Sequence, residues 1–198
     1  MKVALIGASG KVGRRLVAEL QGRGHEVTGI SRNAADTGVP MIVADANDSA
    51  ALADAIRGHD ALFVAATFRS TDPAAILRAM KEAGVRRLLV VGGAGSLYVS
   101  PGVQFIDTPG FPEMFRPEVA AGRSFLEALR ASDVDWTFLS PALSFVPGER
   151  TGKYRLGGDD LMRDESGGST ISYEDFAKAL VDELEAPQHS RARFSIAY

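Results

Sequence analysis

Short apolar runs alternate along the chain with stretches in which apolar positions recur every three or four residues. Val3 to Ile6 predicts a first strand, and Val12, Leu16, Val17 and Leu20 then mark one face of a helix that Gly22 and Gly24 end. Glu26 to Ile30 and Met41 to Ala44 predict the second and third strands. Asp48 or Ser49 caps a helix carrying Leu52, Ala55 and Ile56, which stops at Gly58. Ala61 to Ala65 follows as strand four; Asp72 then caps a helix that Pro73 begins, with Ile76, Leu77 and Met80 on its buried face. Leu88 to Val91 is an unbroken apolar run, the pattern of a central strand covered on both faces.

After Gly92-Gly93-Ala94-Gly95 the alternation pauses. Residues 96 to 117 hold Pro101, Pro109, Pro112 and Pro117 among Tyr98, Phe105, Phe111 and Phe115; so long an irregular stretch reads as a lid or site wall. A helix from about Glu118 to Arg130 and a strand from Trp136 to Leu139 resume the pattern, which Ser140-Pro141 ends. Residues 143 to 170 are rich in glycine and charge, with Gly152 to Leu156 as a short strand. Ser172, Glu174 and Asp175 open a last helix through Phe176, Leu180, Val181 and Leu184, and Arg193 to Ala197 closes as a strand. Strands separated by helices predict an α/β fold, a Rossmann-type doubly wound parallel sheet. The whole of 1–198 reads as one domain, to which 143–170 contributes a small substrate-side cap.

Composition narrows the partners more than the fold. A net charge of −3 leaves no basic footprint for nucleic acid or an anionic membrane. The chain has no cysteine, which removes disulfides, thiolate metal sites and cysteine nucleophiles and agrees with a cytoplasmic location. The apolar start is too short for a signal-peptide core or a membrane span. His25, His59 and His189 lie far apart, so no metal site is expected. Neither a P-loop nor a Gly-x-Ser-x-Gly elbow occurs.

The candidate chemistry begins at Gly7-Ala8-Ser9-Gly10-Lys11-Val12-Gly13, between the first strand and the first helix. Three glycines at this spacing permit a sharp turn, close approach to a pyrophosphate and tight helix packing, while helical N–H groups and the helix dipole favour negative charge. Gly7, Ser9, Gly10, Lys11, Val12 and Gly13 are therefore candidate cofactor contacts. The end of the second strand, where an acidic residue commonly selects NAD, reads Ser31-Arg32-Asn33. A guanidinium there suits a 2′-phosphate, so NADP(H) is expected over NAD(H). By the rule that ligands sit beyond the carboxyl ends of the strands, Asp45 and Ala46 are expected at the adenine, and Ala65, Ala66 and Thr67 near the second ribose. Gly92, Gly93 and Ala94 are expected near the nicotinamide ribose, and Pro141 and Ala142 beside the nicotinamide amide.

These segments, with Val90-Val91-Gly92-Gly93-Ala94-Gly95-Ser96-Leu97, Trp136 to Pro141, Gly148 to Gly157 and Ile171 to Ala177, resemble the atypical short-chain dehydrogenase/reductase superfamily over nearly the whole chain. The match is to its NAD(P)H-binding NADH-flavin reductase group, similar also to biliverdin reductase B and NmrA-like proteins. The resemblance implies an NAD(P)-binding Rossmann fold and reduction of flavins or related acceptors. The Tyr-x-x-x-Lys of alcohol-oxidising members is absent, and approximate registration puts Val119 and Arg123 at its positions. Valine exchanges no proton and arginine stays charged, which disfavours alcohol dehydrogenase or epimerase chemistry. Transfer to a conjugated ring asks less of the protein, because the ring takes the charge and positioning supplies most of the acceleration.

The expected activity is an NADP(H)-dependent reductase acting on a flavin, quinone-like or other planar acceptor; a non-catalytic NADP(H) sensor that binds a partner is the alternative. An isomerase or dehydratase is weaker for want of a nameable base. Ser96, Tyr98 and Tyr154 are the candidate hydroxyls near the acceptor, and the aromatic residues of 98 to 115 either stack on it or pack on the body.

Overall fold

Each predicted central strand is apolar on both faces because it separates two helix layers, and in the computed structural model, which describes residues 1–33 and 35–198, both layers are present. In chain order the elements are β1 (Lys2–Ile6), α1 (Lys11–Gly22), β2 (Glu26–Ser31), β3 (Met41–Val43), α2 (Ser49–Ile56), β4 (Ala61–Val64), α3 (Pro73–Ala83) and β5 (Arg87–Val91). There follow β6 (Tyr98–Ser100), β7 (Val103–Gln104), α4 (Arg116–Arg130), β8 (Asp135–Ser140), β9 (Ser144–Val146), β10 (Arg155–Gly157), β11 (Thr170–Ser172), α5 (Tyr173–Glu185) and β12 (Ala192–Ala197).

The main sheet has eight strands in the order β10-β12-β8-β5-β4-β1-β2-β3, parallel throughout except for β10 at one edge. Alternate residues serve opposite cores, as the pleat requires. Leu89 and Leu139 join Leu16, Leu20, Phe176 and Leu180 on the α1/α5 side. Leu88, Val90 and Phe138 join Leu52, Ile56, Ile76, Met80 and Phe125 on the α2/α3/α4 side. From β1 the chain runs outward to β2 and β3, then returns to β4 on β1's other flank. Loops leaving β1 and β4 therefore diverge and open a crevice at the carboxyl edge, the position the fold offers a ligand.

Helix starts follow the expected chemistry. Asp48 accepts from the N–H groups of Ala50 and Ala51, both 3.1 Å away, and Asp72 accepts from Ala74 at 2.9 Å ahead of Pro73. Three short elements depart from the sequence pattern. The strand expected at 152–156 forms as β10, antiparallel to β12, while β9 and β11 pair in parallel as a separate ribbon. Three-residue strands carry too little alternation to be read. The irregular stretch 96–117 holds the β6–β7 hairpin and two single 3₁₀ turns, at Phe105–Asp107 and Glu113–Phe115.

The glycine-rich 143–170 region is tied to α5 through Asp175, which is fully buried. Its carboxylate accepts from Thr151 Oγ1 at 2.6 Å, Gly152 N at 2.7 Å and Tyr198 OH at 2.9 Å. Burial pushes this carboxyl up, but the hydrogen bonds from Thr151, Gly152 and Tyr198 outweigh it and hold the group below the usual carboxylate range. A depressed folded pKa adds stability that is complete above the unfolded pKa, about 3.9, and is lost as pH falls through the lower folded value. Asp175→Asn is thus expected to flatten the acid limb of a melting-temperature profile and to lower the melting temperature at neutral pH; an unchanged acid limb would count against this role.

Candidate functional site

The turn after β1 is built around absent side chains. Gly7 has φ +85°, and a Cβ on it would lie 2.5 Å from the Ala65 carbonyl oxygen. A Cβ on Gly13 would lie 2.0 Å from the Gly7 oxygen, so only glycine lets α1 seat on the turn. Gly7 N–H donates to Ile30 O at 3.2 Å, and Gly10 N–H donates to Gly7 O at 3.0 Å. Among the described residues no side chain caps α1 at Gly10, which leaves its first N–H groups without a side-chain partner beside exposed Ser9, Gly10 and Lys11. Val12 is half-buried against the α1/α5 core. A cradle with no room for a Cβ and uncapped helical N–H groups fits a dinucleotide pyrophosphate.

A cleft of about 140 Å³ opens from this turn along the carboxyl edge, with Gly7, Arg32, Asp45, Ala46, Ala66 and Thr71 on its walls. Arg32 is exposed and, among the described residues, pairs with no carboxylate. Ser31 also lines the cleft, but its hydroxyl donates to the Asn33 carbonyl and so shapes the turn that presents Arg32. Asp45 is engaged likewise, accepting from Asn47 N–H at 3.0 Å. Arg14 lacked any signal in the sequence beyond following Gly13. It spans the two loops, with Nε donating to Ser9 O at 3.1 Å and Nη1 to Asp36 O at 3.4 Å.

The segment after β4 joins this cleft to a second one. Ala65 N–H donates to Ile6 O at 2.9 Å, and Thr67 Oγ1 pairs with Ser70 Oγ at 2.7 Å. Asn47 holds the segment from one side, donating to Ser70 O at 3.0 Å and accepting from Asp72 N–H at 2.8 Å. From the other side the Glu118 carboxylate accepts from Phe68 N–H at 2.7 Å and Arg69 N–H at 3.2 Å.

The second cleft, also about 140 Å³, lies between the end of β5 and α4, walled by Phe68, Gly93, Ser96, Glu118, Val119 and Phe138. Phe68 stacks on Phe138 with ring centroids 5.8 Å apart. A Cβ on Gly92 would fall 2.3 Å from the Phe138 ring, and one on Gly95 2.4 Å from Val119. These glycines let the strand end pass close over the apolar wall. Ala94 continues the same turn, its carbonyl accepting from Leu97 N–H at 3.0 Å. Val119 lines the cleft with an apolar side chain that exchanges no proton, while Arg123 turns away to Gln104 at 3.1 Å and Asp107 at 3.2 Å. Pro141 and Ala142 are buried at the end of β8, Ala142 within the α1/α5 core.

Of the three candidate hydroxyl-bearing residues only Ser96 lines this cleft, and it is 5% exposed. Tyr98 opens β6 and borders a separate groove with Pro101 and Asp160. Tyr154 packs on α5, its hydroxyl donating to Asp182 at 2.9 Å and accepting from Lys178 Nζ at 3.3 Å, so the fold does not bring it to the cleft. Phe105 and Phe111 pack edge-to-face on each other at 5.1 Å, which uses them in the loop's own small core. Phe68 and Glu118 had no sequence signal, because a wall between two loops is defined only once β4 and α4 are adjacent.

Among the described residues no helix is long and apolar enough to cross a membrane. The family model described as NAD(P)H-binding matches residues 7–187. Bacillus subtilis YwnB, described as an uncharacterized protein, is 41% identical over 208 residues, covering 99% of this chain and 98% of YwnB. A Burkholderia pseudomallei structure described as a candidate exported protein is 42% identical, with a TM-score of 0.91 and coverage of 100% of both chains. A Streptococcus pneumoniae structure, described as a candidate NADH-flavin reductase, is 38% identical with a TM-score of 0.88, covering 100% of this chain and 99% of that one.

Proposed function

This chain belongs to the NAD(P)H-binding family, and on that premise we propose that it is an NADP(H)-dependent reductase of flavins, quinones or other planar conjugated acceptors. The observation that carries the cofactor preference is Arg32, a guanidinium with no carboxylate partner among the described residues, on the same cleft wall as Gly7. When bound, the reduced nicotinamide supplies a hydride, and solvent supplies the accompanying proton. The protein's work is binding and orientation. The Gly7–Gly13 turn and the start of α1 hold the pyrophosphate, and Arg32 receives the 2′-phosphate with Asn33 beside it on the turn that Ser31 shapes. Asp45 and Ala46 border the adenine, Ala65 to Thr67 the second ribose, Gly92 to Ala94 the nicotinamide ribose, and Pro141 with Ala142 the amide. Phe68, Val119 and Phe138 exclude water from the acceptor side, and 143–170 caps the single domain. The cysteine-free sequence accords with work in the cytoplasm. The flavin reading draws support from the pneumococcal relative, whose description names that activity.

Val119 and Arg123 favour one competing reading, a sensor that binds NADP(H) without turnover. Purified protein with NADPH and a panel of FMN, riboflavin, menadione and biliverdin decides between them. Oxidation of NADPH at 340 nm above the uncatalysed rate with at least one acceptor is expected. Tight NADPH binding with no turnover across the panel would establish the sensor instead.

A further inference from the structure

We propose that the Ser96 hydroxyl is the hydrogen-bond donor to the acceptor molecule, and that the buried guanidinium of Arg193 is the positioning residue that aims and polarises it. This rests on the reductase reading above and assigns the group that recognises the acceptor. Arg193 lies on β12 in register with Phe138 of β8, and its side chain is 1% exposed. A cation so deep costs more than an apolar side chain unless its donors are used. They are used on two partners, Ser96 and Asp159. Nη1 donates to both the carbonyl and the hydroxyl oxygen of Ser96, each at 3.0 Å, while Nε donates to the Asp159 carboxylate and Nη2 to the Asp159 carbonyl at 3.4 Å.

This arrangement fixes the polarity of the Ser96 hydroxyl. Its oxygen accepts from the guanidinium, and its own proton has no protein acceptor among the described residues. A hydroxyl that accepts from a cation becomes a stronger donor, more so beside low-dielectric walls. Among the described residues Ser96 is the only hydroxyl-bearing one on the second cleft; Phe68, Val119 and Phe138 supply apolar surface, and the Glu118 carboxylate is an acceptor already engaged by two amides. Among the described residues no arginine or lysine lines this cleft. It therefore suits a neutral, flat molecule with a carbonyl oxygen or ring nitrogen that gains negative charge on reduction, and the Ser96 donor interaction strengthens as that charge develops.

The test measures binding and turnover separately. Riboflavin and menadione are titrated into NADP⁺-loaded wild type, Ser96→Ala, Ser96→Thr and Arg193→Lys, with NADP⁺ affinity and melting temperature measured alongside. Loss of one hydrogen bond from the polarised hydroxyl predicts about tenfold weaker binding of both probes to Ser96→Ala, with NADP⁺ affinity within about twofold of wild type. Ser96→Thr, which keeps the hydroxyl, should restore most of the affinity. Arg193→Lys should lie between the two in probe affinity and, with NADPH, lower kcat more than it raises the KM for NADPH. Wild type that binds neither probe, or Ser96→Ala that binds both as tightly as wild type, overturns the Ser96 assignment. So does Arg193→Lys losing NADP⁺ and probe affinity in parallel with its melting temperature, since that marks a merely structural arginine. Failure of wild type to bind NADP⁺ overturns the cofactor reading instead.

Discussion

Gly13→Ala is expected to reduce NADP(H) affinity by about a hundredfold or more and to destabilise the fold by roughly 1–3 kcal/mol, the range for overpacking a closed site. Alanine ordinarily favours a helix over glycine by about 1 kcal/mol, so propensity alone predicts the opposite sign. The clash decides. The added Cβ would sit 2.0 Å from Gly7 O and 2.9 Å from Gly7 C, backbone atoms that no rotamer change can move. Relief requires α1 to lift from the turn, and that displaces the N–H groups meant for the pyrophosphate. Gly22→Ala is the control, because among the described residues nothing lies within 4 Å of the position a Cβ would take there. Calorimetric titration with NADPH and thermal melting of both variants check this; a Gly13→Ala protein that binds as wild type does would remove the turn from the cofactor site.

Arg32→Ala should lower NADPH affinity by about 10- to 100-fold and leave NADH affinity nearly unchanged, since one or two charge-assisted bonds are each worth about 1.5–3 kcal/mol. Arg32 is exposed, so salt is expected to narrow the wild-type preference. Arg14 gives the turn a second guanidinium, already spent on the carbonyls of Ser9 and Asp36, and its replacement should matter less. Equal loss for both cofactors in Arg32→Ala would mean the guanidinium shapes the loop rather than reading the phosphate.

The long periodic elements were legible because burial imposes its period directly on the chain. The α1 face at Leu16, Val17 and Leu20, the Asp72-Pro73 helix start and the Leu88 to Val91 strand all appear where the pattern puts them. β9 and β11 were not legible, since each gains its stability from pairing with the other rather than from its own three residues. The same logic separates the candidate hydroxyls. Ser96, Tyr98 and Tyr154 look equivalent along the chain, yet Tyr154 belongs to Lys178 and Asp182 on α5, Tyr98 to a hairpin groove, and Ser96 to the cleft.

What the sequence determined by itself is the set of local necessities: a glycine turn after an apolar strand, a guanidinium where an acid is common, and no Tyr-x-x-x-Lys. Each is a property of neighbouring residues, whose spacing sets which backbone angles and charges are available. The tertiary structure alone decided which distant residues share a wall. Phe68 meets Phe138, Glu118 grips the segment after β4, and Arg193 donates to the Ser96 hydroxyl, because strand pairing and helix packing bring segments to one edge of the sheet regardless of how much chain separates them.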